Sequence, residues 1–231
     1  MKNELFVWDI DGTLTRTNGD WEHYKTTLNV KFGIPIANIS DDFAHYPNIT
    51  DSGVFRTVCE RHNITPTNDQ YLGFIAHYVG LTSEHNPEPI AGAAELMGIL
   101  QSKALPTAVA TGAWQQKALR RLGVVGITPA RTPIATAHDH MTRCGIMETA
   151  LSMAQSRHRT IFDKTRIVYV GDADWDAAAC AQLGWRFVAR CEKPEKFARF
   201  GVPADAIIPD YTDQARFWAA VRAARVPNIA R

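Results

Sequence analysis

A chain of 231 residues, 45% hydrophobic and 21% charged, is long enough for one large domain or a core with a modest insertion, and too apolar for wholesale disorder or a fibrous repeat. Its 25 basic and 24 acidic side chains leave a formal charge of +1, which argues against a nucleic acid or an anionic membrane as the main partner. The opening MKNELFVWDIDGTL has an apolar run cut short by Asp9 and Asp11, so neither a signal peptide nor a spanning helix is predicted there; Cys59, Cys144, Cys180 and Cys191, with no CxxC pair, fit reduced thiols and a cytoplasmic location.

The first predicted strand, Leu5 to Trp8, runs straight into Asp9 and Asp11, followed by Gly12, Thr13 and Leu14. Open parallel sheets bind ligands at the carboxyl ends of their strands, and two carboxylates two residues apart can divide attack and proton transfer; the same letters also spell an ordinary Asp-Gly turn. From about Arg16 to Pro89 the pattern shows helical faces and no convincing buried strand, so this stretch reads as an insertion. Val54, Phe55, Val58 and Cys59 form one helical stripe, Leu72, Ile75, Ala76 and Val79 another, and Thr67 with Gln70 forms a possible capping box. Asn86-Pro87-Glu88-Pro89 then reads as a return hinge into a helix carrying Ala93, Leu96, Met97 and Leu100.

A second strand, Thr107 to Ala110, ends in Thr111 and Gly112 just before a helix, where a hydroxyl either holds a phosphate oxygen or merely caps. That helix shows Trp114, Ala118, Leu119 and Leu122 on one face; the next shows Ile146, Met147, Ala150, Leu151 and Ala154. The strand Ile167 to Val170 leads into Gly171-Asp172-Ala173-Asp174-Trp175-Asp176, whose acids suit a hard cation with oxygen ligands or, more plainly, a solvated loop capping a helix. Phe187 to Ala189 and Ala206 to Ile208 are further strands. Strand and helix in alternation predict an α/β fold, a parallel sheet covered by helices on both faces, with residues 1–15 and 90–231 as the core and 16–89 as a small α-helical domain.

Three strand ends carrying Asp-x-Asp-Gly-Thr, Thr-Gly and Gly-Asp-x-x-x-Asp, in that order, resemble the haloacid dehalogenase-like superfamily, over about residues 5–15 and 90–190. The resemblance implies a Rossmann-like core, a helical cap of that family's first type at 16–89, Mg²⁺ as cofactor, and a phosphatase of small phosphorylated metabolites working through an aspartyl-phosphate. It makes Asp9 the nucleophile, Asp11 the general acid and base, Thr111 and Gly112 part of the phosphate site, and Asp9, the Asp11 carbonyl, Asp172 and Asp176 the metal site. Attack by a carboxylate on a phosphate dianion needs neutralising charge, which agrees with those roles.

The chain departs from the family at its usual basic residue, where His138-Asp139-His140-Met141-Thr142-Arg143 stands before the Ile146 helix. Arg143 is the choice for that cation, since a guanidinium can hold two phosphate oxygens; Lys164, at the far end of its strand, is the rival. His138 and His140 lack further ligands for a transition metal and read as a solvated loop. Asp174 either joins the metal or faces solvent, Trp21 lines the pocket or packs in the cap, and Trp114 is assigned to the core in preference to the cap. Arg16, His23, Tyr24, Arg56 and the Thr50-Asp51-Ser52-Gly53 turn are candidates for reading the leaving group, with Arg16 preferred as a plain surface charge. Competing readings are a phosphosugar mutase and a binding protein on the same fold; a phosphonate hydrolase would need a cap lysine, for which Lys25 and Lys31 carry no motif.

Overall fold

A computed structural model of the chain describes residues 4–16, 18–83 and 86–228. In chain order it runs β1 (Leu5–Trp8), β2 (Thr15–Arg16), α1 (Asp20–Phe32), α2 (Asp51–Arg61), α3 (Asn68–Thr82), β3 (Glu88–Pro89), α4 (Ala93–Ser102), β4 (Thr107–Ala110), α5 (Gln115–Gly123), β5 (Ile134–Ala135), α6 (Arg143–His158), β6 (Ile167–Gly171), α7 (Asp174–Leu183), β7 (Arg186–Arg190), β8 (Ile207–Ile208) and α8 (Gln214–Ala223). Six strands form one parallel sheet in the order β5-β4-β1-β6-β7-β8, with Phe6 opposite both Thr107 and Val168.

The short apolar runs become central strands because both of their faces are covered. Phe6 and Trp8 pack on one side with Leu96 and Leu100 of α4, Leu122 of α5 and Phe217 of α8. Leu5 and Val7 pack on the other with Ile146 and Met147 of α6 and Cys180 of α7. All four β1 side chains are fully buried, contributing about 2 kcal/mol each. The expected α/β layering is what the chain adopts. The short edge strand β5, following Pro133, carries no sequence signal: two residues show no alternation.

Between β2 and β3 the chain is helical, as its periodicity predicts, and Thr67 with Gln70 forms the capping box. Glu88 and Pro89 do not form a plain hinge; they pair antiparallel with Thr15 and Arg16 in a small ribbon where the helical segment leaves and rejoins the sheet. The α3 stripe is also turned from expectation. Phe74, Ile75 and Tyr78 are buried while Leu72 is 50% exposed, because the aromatic rings bury more area than the aliphatic row one step round the helix. Trp114 is fully buried, but against Tyr24, Phe74 and Tyr78 of the helical segment and not within the sheet's core. Among the described residues no helix is long and apolar enough to cross a membrane.

Candidate active site

Since β1 lies between β4 and β6, the three strand ends place Asp9, Thr111 and Asp172 side by side at the carboxyl edge of the sheet. The Asp9 N–H donates to the Val170 carbonyl at 3.0 Å, extending the pairing one residue beyond the strand. Gly12 sits at φ +74°, and a Cβ there would lie 2.2 Å from Asp172 Oδ2, so only glycine lets the turn after β1 close on the acid loop. A Cβ on Gly171 would meet Asp176 Oδ2 at 2.5 Å. Oxygens of Asp9, Asp172 and Asp176 consequently fall within 4.8 Å of one another.

Arg143, the first residue of α6, reaches this cluster. Its Nη1 donates to Asp9 Oδ1 at 3.2 Å and its Nε lies 3.5 Å from Asp176 Oδ1. Thr142 caps the helix by accepting from the Gly145 N–H, which fixes where the guanidinium starts. Lys164 lies exposed in the turn that leads into β6, at the opposite end of the sheet. Thr111 is 1% exposed, its hydroxyl accepting from the Ala113 N–H. Asp176 is fully buried and already accepts from the Tyr169 hydroxyl and the Ala173 N–H, so it fixes the acid loop as well as adding charge.

Burial pushes the Asp9 carboxyl well above the usual carboxylate range, with Arg143 opposing and Asp176 and Asp172 adding to the rise. Burial, then Asp176, raises Asp172 to about 7. Arg143 is held more firmly protonated: burial disfavours its charge, but Asp176 and Asp9 outweigh that cost. Three converging carboxylates, those of Asp9 and Asp176 buried and that of Asp172 half-buried, with a single guanidinium among them, form an all-oxygen donor set short of positive charge, which fits a hard divalent cation.

A second cluster lies on α5, where sequence reasoning saw only an apolar face. Arg121 donates from Nη1 to Asp11 and from Nη2 to Asp20, at the start of α1. Lys117 lies 2.9 Å from Asp51 Oδ2 and 3.7 Å from Asp20, and donates to the Tyr78 hydroxyl at 2.8 Å. Burial would raise Asp20, but Lys117 and Arg121 overcome it and hold the carboxyl below its ordinary value; for Asp51 burial wins over Lys117 and the carboxyl is raised. The signal was present: Lys117 and Arg121 are four apart, beside Ala118 and Leu122, and so share one buried helix face.

The Thr50-Asp51-Ser52 turn docks the helical segment on the sheet domain. Thr50 donates to the Met141 carbonyl, the Asp51 N–H to the Gly112 carbonyl at 2.7 Å, and Ser52 to the Ala137 carbonyl, while Asp51 Oδ2 accepts from the Trp114 N–H. Trp21 and Tyr24 line the cavity shared by Asp9, Asp11, Thr111, Gly112 and Arg143. Trp21 also packs on Tyr24, Phe43 and Tyr46, so both of its expected roles are present. Arg16, His23 and Arg56 stand outside that cavity: Arg16 pairs with Glu192 at 2.6 Å and Arg56 with Glu60 at 2.7 Å. Lys25 is held between Asp41 and Glu22. Asp174 stays out of the carboxylate cluster; its side chain is 34% exposed and pairs at the surface with Arg199. His138 and His140 accept backbone N–H bonds from Gln115 and Thr142. Lys196, overlooked in the sequence, donates to the Asp172 carbonyl at 2.6 Å.

A parallel sheet with acids at the carboxyl ends of adjacent central strands defines an α/β enzyme of the strand-end carboxylate type. Residues 6–190 match the family model described as haloacid dehalogenase-like hydrolase, and the chain belongs to that family. No curated protein matches it in sequence. Among solved structures it is similar to a β-phosphoglucomutase from Clostridium difficile (16% identity, 95% of this chain and 96% of that one, TM-score 0.67). It is also similar to CbbY from Rhodobacter sphaeroides in complex with phosphate (18%, 94% and 99%, 0.65) and to a hydrolase from Pseudomonas syringae (19%, 80% and 84%, 0.64). At these identities the likeness is one of fold.

Proposed function

We propose that the protein is a Mg²⁺-dependent phosphatase of small-molecule phosphomonoesters, acting through a phosphorylated Asp9, with residues 16–89 serving as a cap over the site. The observation that carries this reading is the convergence of Asp9, Asp172 and Asp176 within 4.8 Å, with Arg143 on Asp9. Asp9, Asp172, Asp176 and the Asp11 carbonyl would hold the cation, which supplies the charge that lets a carboxylate approach a phosphate dianion.

The residues divide the work as follows. An Asp9 oxygen attacks phosphorus, the bond from phosphorus to the ester oxygen breaks, and Asp11 gives that oxygen its proton. Asp11 then takes a proton from water as the water attacks the same phosphorus, the bond to Asp9 breaks, and orthophosphate leaves with both acids restored. Arg143 and the Thr111 hydroxyl donate to the phosphoryl oxygens and orient them. The ion pairs from α5 to Asp20 and Asp51 support a cap that closes over the substrate and keeps bulk water out. The test is orthophosphate release from a panel of phosphomonoesters with Mg²⁺ and with a chelator. Release that needs Mg²⁺ is expected; isomerised sugar phosphate without orthophosphate would overturn the phosphatase reading in favour of a mutase.

A further inference from the structure

The cavity that takes the phosphoryl group has a volume of about 200 Å³, and its walls are of two kinds. Asp9, Thr111 and Arg143 form a polar wall, whereas Trp21, Tyr24, Phe43, Ile49, Val54 and Trp175 form an apolar one. The aromatic members make a continuous row. Tyr24 stacks on Trp21 at 5.5 Å, Trp21 meets Phe43 at 5.0 Å, and Phe43 meets Trp175 at 5.8 Å. The row crosses from α1, through a short turn at Phe43–His45, to α7, and Trp175 lies between Asp172 and Asp176 in sequence. It therefore ends in the first turn of α7, beside the reacting carboxylates.

Core rings such as Trp8, Tyr169 and Phe187 are fully buried, but Trp21, Phe43 and Trp175 are only half-buried. Apolar faces left open along a cavity gain by covering a flat apolar ligand. The cations tell the same story from the other side. Each cation lining the cavity is held by carboxylates, Lys117 by Asp51 and Asp20, Arg143 by Asp9 and Asp176. Once Arg143 takes the transferred phosphoryl group, a second phosphate on the substrate would meet Asp20 and Asp51 and a lysine they already neutralise. A cavity of about 150 Å³ accommodates benzene, so about 200 Å³ holds a single ring beside the phosphoryl group.

Taking the phosphatase reading as given, we propose that the substrate is the monophosphate of an uncharged alcohol with a small aromatic or similarly flat apolar body, and that bisphosphates are excluded. Benzyl phosphate and glycerol phosphate, both esters of primary alcohols, separate recognition from leaving-group reactivity, with a sugar bisphosphate as the third probe. With Mg²⁺, kcat/KM for benzyl phosphate should exceed that for either of the others by about tenfold or more. In the Phe43→Ala and Trp175→Leu variants that ratio should fall, through a higher KM for the benzyl ester; a ratio within one preparation does not depend on the folded fraction. Orthophosphate release as efficient from glycerol phosphate or the bisphosphate would overturn this substrate class and leave the phosphatase standing. Release from no ester at all would overturn the phosphatase reading and this proposal with it.

Discussion

Asp9, Thr111 and Asp172 stand on three adjacent parallel strands, whereas Asp20, Asp51, Lys117 and Arg121 meet across helices that belong to different parts of the chain. The first group is placed by backbone pairing inside a close-packed core, which tolerates little displacement. The second is placed by buried ion pairs, whose desolvation cost nearly offsets their attraction and which can re-form elsewhere with little net change in free energy. A strand-borne centre thus suits bond making and breaking, and a charge-latched helical segment suits substrate entry and choice. Damage to the first should remove chemistry and spare the fold; damage to the second should do more to stability and selectivity than to the reaction.

The largest expected effect sharpens that contrast. Asp9→Asn should lower orthophosphate release by about 10⁴-fold or more, as loss of a nucleophile does. In chelator its thermal midpoint should match or exceed that of the wild type, because burial and the neighbouring acids already disfavour the Asp9 charge. Arg143→Ala should cost about 10² to 10³ in kcat/KM, by removing donors aimed at the phosphoryl oxygens. Lys164→Ala, in an exposed turn at the far end of the sheet, should leave kcat/KM unchanged, and a loss there equal to that of Arg143→Ala would break the assignment.

Lys117→Met tests the helical side. It leaves Asp51 buried without its cation, a loss of about 3 kcal/mol, and differential scanning calorimetry should show a midpoint lower by about 6 to 12 °C. An unchanged midpoint would mean that the latch contributes nothing to holding the two parts together. The smallest effect is one of pH. Asp172, raised to about 7, keeps in the folded protein a proton that the unfolded chain has already released. Without a cation, stability therefore falls as pH rises from the ordinary aspartate value towards 7. Mg²⁺ must displace that proton and any held by Asp9, whose carboxyl is also raised, so its affinity should climb as pH rises towards about 7, as thermal-shift titrations at a series of pH values can show. An affinity independent of pH would contradict the shared carboxylate site.

How far each region was legible in the sequence follows from the same difference. Strand ends announce themselves, because an apolar run meeting Asp9, Thr111 or Asp172 is local in sequence, and β1, β4 and β6 then bring those ends together without further information. Arg143 was findable because it opens a helix whose face is plain to see. The helical side depends on partners more than sixty residues apart, such as Asp51 and Lys117 or Asp20 and Arg121, and no local pattern pairs them. Trp114 differs from expectation for that reason: its period fits the α5 face, but its indole N–H reaches Ser52 and its ring lies among Tyr24, Phe74 and Tyr78. Periodicity puts Leu72 and Ala76 on a buried stripe, because it cannot weigh an aliphatic row against the larger Phe74 and Tyr78 beside it.

The central claim is that Asp9 carries the phosphoryl group in transit. The direct measurement is an acid quench during turnover with Mg²⁺ and a cleaved ester, followed by mass spectrometry of the peptide spanning Leu5 to Arg16. One added phosphoryl group on Asp9, absent in the Asp9→Asn variant, is the predicted result. Orthophosphate release with that peptide unmodified, or with the label on another residue, would contradict it.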